Sequence, residues 1–151
     1  LERARSTARI LNRALSLPEH LDERLREQDW GRWVGQTVAD LHRDSGRQLQ
    51  AQEKAGWDFC PPGGEDRRRL RDRSRRALLE AARRWPGRTI LVITHEGVIK
   101  ALVYDLLERD FLPGEPKVLR KGYWLHWLTA REDTLAVEAL HGVKLPDVGT
   151  G

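Results

Sequence analysis

Residues 88–94, RTILVIT, leave the chain few ways to fold. Ile90, Leu91, Val92 and Ile93 follow one another without a polar break, and three of the four are β-branched. A run of this kind predicts a strand buried on both faces, as in a parallel sheet covered by helices. A helical pattern over Gly97–Arg109 follows almost at once, so His95 and Glu96 stand where a strand gives way to a helix. In open α/β sheets ligands bind just beyond the carboxyl ends of strands, where the next helix aims free N–H groups outward.

The rest of the chain fits around this unit. In residues 2–14, Ala4, Ala8, Leu11 and Leu15 share one helical face among arginines, which predicts an amphipathic helix. Residues 20–37, punctuated by Gly31 and Gly35, read as an extended segment and loop. Thr37–Asp44 predicts a short helix and Ser45–Ala55 a second. The Pro-Pro-Gly-Gly run at 61–64 marks a loop. Glu65–Trp85 predicts a long helix, with Leu70, Ala77, Leu78, Ala81 and Trp85 facing the core and Pro86-Gly87 as its stop. YWLHWLTA and TLAVEALH, joined by REDT, predict two antiparallel strands. The fold class is α/β, and residues 1–151 read as a single domain.

Several functions are excluded or disfavoured on composition. No apolar stretch approaches the roughly 18 residues of a membrane helix. Cys60 is the only cysteine, which rules out an internal disulfide or a cysteine metal cluster and suits a reducing cytoplasm. The arginine run at 67–76 alternates with apolar and acidic residues and lacks interleaved aromatics, so it reads as a solvated helix face rather than a nucleic-acid surface. The net charge of +4 suits an anionic small molecule. His20, His42, His126 and His141 show no metal-ligand spacing, and Trp124 and Trp127 around His126 read as packing. The sequence contains no methionine, so residue 1 is not expected to be the natural start of translation.

Three residues stand out chemically, each with a bland alternative beside it. His95 can form an anion site with the helix N–H groups or merely cap the turn. Glu27, in LREQDWGRWVG, is a solvated charge or a carboxylic acid partly desolvated by Trp30 and Trp33 and able to protonate a leaving oxygen. Arg3 faces solvent or forks onto a phosphate.

Four segments in chain order resemble the histidine phosphatase superfamily, the phosphoglycerate-mutase-like enzymes. LERARSTARIL resembles the family's Leu-x-Arg-Ala segment followed by Thr-Ala, and LREQDWGRWVG its Glu loop with Trp-x-Gly. PPGGED resembles Pro-x-Gly-Glu-Ser, with Asp66 in place of serine. VITHEGVIKAL resembles the strand that ends in Ser/Thr-His-Gly-Gly-Val-Ile-Arg, with Glu96 in place of the first glycine. The resemblance implies a three-layer α/β/α sandwich around a mostly parallel sheet. It implies hydrolysis of a small phosphate monoester through a phosphohistidine, with no metal or cofactor. Glu27 is then the proton donor and His95 the second catalytic histidine, while Arg3, Trp30 and Glu96 are the substrate-contacting residues. The compact spacing between Glu27 and His95 favours a phosphatase over a mutase. The family's Arg-His-Gly nucleophile motif does not occur in the 151 residues, and its first strand is expected to be missing with it. A non-catalytic relative that binds a phosphorylated ligand or a protein partner is the competing expectation. A homodimer stays open.

Overall fold

The computed structural model describes residues 2–145. Among the described residues, four α-helices and one hairpin, besides short 3-10 turns, make up the regular structure: α1 Glu2–Leu15, α2 Val38–Lys54, α3 Arg67–Arg84, α4 Glu96–Leu106, β1 Trp124–Arg131 and β2 Thr134–Lys144.

Local chemistry sets the helix ends. Thr37 and Asp40 form a reciprocal capping box at the start of α2. Ser45 leaves helical geometry inside α2, with φ at −140°, so α2 is two helical segments meeting at a kink, as expected on either side of that residue. Asp66 caps α3 by accepting a hydrogen bond from the Arg69 amide. His95 occupies the cap position of α4 in an extended conformation, and its side chain makes no capping bond.

Packing centres on α3 and α4. Leu70 meets Val98, Ala101, Leu102 and Tyr104, with Phe111 closing the cluster. A second cluster gathers Trp33, Leu41, Leu49 and Phe59, with Trp30 packed against it. The hairpin is antiparallel, with Trp124 opposite Lys144 and Arg131 opposite Thr134, and the ladder slips on either side of Trp127.

One expected element differs. Residues 88–94 form no ladder with any other strand, and the two-stranded hairpin is the sheet among the described residues. Ile90, Leu91 and Val92 are accordingly exposed, although their composition is that of a buried strand. The reason is physical: a strand becomes regular structure only when neighbours accept and donate its backbone hydrogen bonds, and none does so here. An open cleft of about 720 Å³ lies beside this segment, lined by Ala4, Ala8 and Leu11 of α1, by Leu25, by Ala77 and by residues 89–93. Helix α1 itself contains no buried residue. No helix among the described residues is long and apolar enough to cross a membrane.

Candidate active site

Glu27, His95 and Arg3 come together although they lie in three separate parts of the chain. Arg3 Nε donates to His95 Nδ1 at 3.3 Å, and Arg3 Nη2 lies 3.6 Å from Glu27 Oε2. Because Nδ1 of His95 accepts this bond, a neutral imidazole in this arrangement carries its proton on Nε2. His95 is buried, and its pKa is lowered, first by burial; the nearby Glu27 carboxylate opposes that effect and Arg3 adds to it. The arginine is mostly exposed, with 70% of its side chain accessible, against 19% for Glu27. Its contacts therefore hold it loosely and leave the guanidinium able to turn toward an incoming anion.

Two devices fix Glu27 over the start of α4. The first is Gly97: a Cβ built there would collide with Glu27 Oε1, so only a residue without a side chain lets the carboxylate come so close to the helix N-terminus. The second is Arg73 of α3. Its Nε and Nη2 grip the two oxygens of Glu65 at 2.7 and 2.8 Å, while Nη1 donates to the carbonyls of Arg24 and Arg26 and Nη2 to that of Glu27. All five N–H donors of the guanidinium are engaged. On the other side, Thr94 Oγ1 donates to the Leu25 carbonyl at 2.7 Å, which ties the His95 turn to the same loop.

The loop also rests on residues 61–65. The Arg32 amide donates to the Pro62 carbonyl, the Glu65 amide to that of Asp29, and Gln28 Nε2 to that of Glu65. Gly31, at φ +50°, approaches the Pro62 carbonyl more closely than a Cβ would allow. Gly35 has open space around it, so of these two glycines only Gly31 makes a close backbone approach.

The other expected site residues fall nearby in different settings. Trp30 packs its ring on Phe59 at 5.7 Å and on Trp33 at 6.3 Å, half-buried in the aromatic cluster that supports the Glu27 loop. Glu96 is exposed in the first turn of α4, where a carboxylate is favoured by the helix dipole, and its charge acts on Lys100. Among the described residues, no three His, Cys, Asp or Glu side chains come together as a metal site. His141 is engaged in the hairpin, its Nε2 accepting from the Arg120 amide and its ring against Trp124 and His126.

Sequence reading overlooked Arg73 by assigning the whole arginine run to solvent. The signal was present: Leu70, Arg73, Ser74 and Ala77 recur at helical spacing, so Arg73 lies on the stripe that faces the protein, and Leu70, Ser74 and Ala77 are buried there. Gly97 and Thr94 were likewise missed, since neither residue type announces a close approach.

A profile of the histidine phosphatase superfamily (branch 1) matches residues 1–119. The chain belongs to this superfamily. It is 36% identical over 117 residues to glucosyl-3-phosphoglycerate phosphatase of Mycobacterium tuberculosis, an alignment that covers 72% of this chain and 52% of that enzyme. Among solved structures it is similar to YhfR of Bacillus stearothermophilus, with a TM-score of 0.76 and 26% identity over 90% of this chain and 67% of the other. It is also similar to the mycobacterial glucosyl-3-phosphoglycerate phosphatase in complex with VO3, with a TM-score of 0.61 and 36% identity over 70% and 54% of the two chains. The chain thus spans about half the length of the curated relatives it matches. The α/β fold expected from the sequence is the fold of these structures, and curated relatives include a glucosyl-3-phosphoglycerate phosphatase and an adenosylcobalamin/alpha-ribazole phosphatase.

Proposed function

We propose that this chain carries the acid and phosphate-holding half of a phosphatase site that hydrolyses a small phosphate monoester. The observation that carries the reading is the meeting of Arg3, Glu27 and His95 at the N-terminus of α4, with Gly97 clearing the space for the carboxylate. A guanidinium, an imidazole N–H and helix amides together suit the equatorial oxygens of a phosphoryl group. A carboxylic acid at the edge suits a leaving alkoxide.

In the reaction we infer, a histidine nitrogen from outside these 151 residues attacks phosphorus and the P–O bond to the alcohol breaks. Glu27 gives its proton to the departing oxygen. Water then attacks the phosphohistidine, the P–N bond breaks, Glu27 takes up the water's proton and phosphate leaves. His95 Nε2–H and Arg3 hold the charge throughout. No metal or cofactor takes part in this scheme.

The open cleft fits the same proposal. Exposed Ile90, Leu91 and Val92 beside it are what a central strand presents when its neighbour is absent. A strand carrying the nucleophile, paired to residues 88–94, would complete a mostly parallel sheet between helical layers and deliver its histidine next to His95. Half of the relatives' length lies outside the alignment and leaves room for such a segment.

The full natural chain is expected to hydrolyse p-nitrophenyl phosphate at mildly acidic pH, with inhibition by vanadate. His95→Ala should lower the rate at least about a hundredfold. Undiminished hydrolysis by that variant would overturn the proposal. A second reading, a relative that binds a phosphorylated ligand without turning it over, draws on Glu96, a carboxylate in a turn meant for anions. Tight binding of a phosphate ester by the full chain with no hydrolysis would favour it.

A further inference from the structure

A bulge built around two histidines interrupts the hairpin. Between the pairs Leu125–Val143 and Trp127–Ala139, β1 has one residue, His126, and β2 has three, Leu140, His141 and Gly142. His141 stands at φ +57°, a left-handed geometry in which asparagine, aspartate and histidine are the usual residues besides glycine. Trp127 covers Gly142, where a Cβ would come within 2.8 Å of the indole nitrogen. Beyond the bulge lie the pairs Leu125–Val143 and Trp124–Lys144, and then the Leu145 amide, which donates to the Tyr123 carbonyl at 2.8 Å.

Both imidazoles act as acceptors in this bulge. His141 Nε2 accepts from the Arg120 amide at 2.9 Å and so ties the lead-in of β1 to β2. His126 Nδ1 accepts from the His141 amide at 3.5 Å. A ring nitrogen accepts only while it carries no proton, so both rings are neutral, with the proton on Nδ1 of His141 and on Nε2 of His126. The rings meet edge to face with their centres 5.1 Å apart, and that of His141 lies 5.4 Å from the Trp124 ring.

The surroundings oppose a positive charge here. Burial lowers the pKa of both histidines; His141 acts on His126, and Arg120 on His141, in the same direction. Lys121 and Lys144 stand on either side of Trp124, the first through its carbonyl, which accepts from Trp124 Nε1, and the second as its neighbour across Gly122. No carboxylate is among the charges acting on the two rings, Glu138 of β2 included. Asp133 at the hairpin turn is paired with Arg83 of α3, and Asp105 of α4 with Arg71 and Arg75.

We propose that His126 and His141 form a proton-operated latch that holds the open end of the hairpin shut at neutral pH and releases it in mild acid. A proton taken from solvent onto His141 Nε2 sets an N–H donor against the Arg120 amide, with nothing between them to accept. A second proton, on His126 Nδ1, does the same to the His141 amide and brings two cations face to face. Residues 120–125 and 142–145 then come free, while the ladder from Trp127 to Arg131 stays closed. In the closed hairpin both rings bind protons more weakly than free imidazoles do. The latch therefore contributes stability above about pH 6.5 and loses it as pH falls below that value.

Hydrogen exchange followed by NMR on the full natural chain, between pH 8 and 5, tests this, with each amide's protection taken relative to its intrinsic rate. Protection of the Arg120 and Leu145 amides should fall together by about tenfold or more, the scale of one lost hydrogen bond. Their midpoint should coincide with that of the His141 ring resonances, and the amides of residues 127–131 should keep their protection. His141→Asn suits the left-handed backbone and has nothing to titrate, so Arg120 protection should no longer vary with pH in this range. His126→Phe keeps a ring against His141 without its charge, so the midpoint of the Arg120 loss should rise. Constant Arg120 protection while His141 titrates overturns the latch. So does an acid loss that persists in His141→Asn, or one shared by the whole ladder. If His141→Asn does not fold, the His126→Phe midpoint decides: unmoved, it overturns the pairing of the two rings.

Discussion

The two sides of the segment that leads into α4 make an instructive pair. Val98, Ala101, Leu102 and Tyr104, on the helix, are buried against Leu70 and Phe111. Ile90, Leu91 and Val92, a few residues earlier, are as apolar and stand exposed along an open cleft. Composition does not separate these regions; partners do. A helix satisfies its own backbone and needs only a packing face, whereas a strand needs a neighbour before its apolar side chains have anything to pack with. The candidate site lies on the boundary, and its geometry is held from the packed side by Arg73, Gly97 and Thr94.

That contrast can be tested by degrees. The largest effect should come from Arg73→Ala, which leaves the half-buried Glu65 without its partner and three loop carbonyls without a donor. A loss of about 3–5 kcal/mol is expected, read from the midpoint of urea unfolding. Arg73→Lys should recover only part of it, since a lysine has three donors against five.

Core truncation comes next. Leu70→Ala should cost about 2–5 kcal/mol, while Leu91→Ala should stay within about 0.5 kcal/mol. Equal losses would show that residues 88–94 are packed in solution, and the contrast would fail.

Gly97→Ala gives a smaller effect whose sign is the informative part. Helix propensity alone would make it stabilising by up to about 1 kcal/mol. Collision with Glu27 costs about 1–3 kcal/mol if the carboxylate cannot yield, so a net loss is expected. A stabilised variant would mean that the carboxylate moves aside freely.

The smallest signal is protonation of His95. Its imidazole resonances should titrate below the ordinary value of about 6.5, because burial outweighs Glu27. Glu27→Gln should move the midpoint lower still, since the carboxylate it removes favours the charged ring. In the native state His95 binds its proton more weakly than in the unfolded chain, so its contribution to stability is present above about pH 6.5 and is lost as pH falls below it. A midpoint above 6.5 in the free protein would contradict the burial.

Much of this was legible in the residues. The helices followed from apolar spacing and caps, and the hairpin from two alternating runs about a tight turn. The four motif segments placed Arg3, Glu27 and His95, which the structure brings within contact of one another. What could not be read was long-range. Whether residues 88–94 pair depends on a neighbouring strand, and the need for glycine at 97 depends on where Glu27 lies in space. Arg73 was hidden by its neighbours: among nine arginines between positions 67 and 84 it is distinguished only by its phase along the helix.

The five engaged donors of Arg73 have a consequence for motion. Residues 24–27 hang on a guanidinium whose own anchor is the first turns of α3, so the loop cannot lift away unless that end of the helix opens with it. In hydrogen exchange, loop amides tied in this way and the amides of early α3 should open as one cooperative unit. In the proposed reaction, an acid group carried on so anchored a loop would keep its aim between encounters with substrate, with the searching left to the exposed arginine across from it.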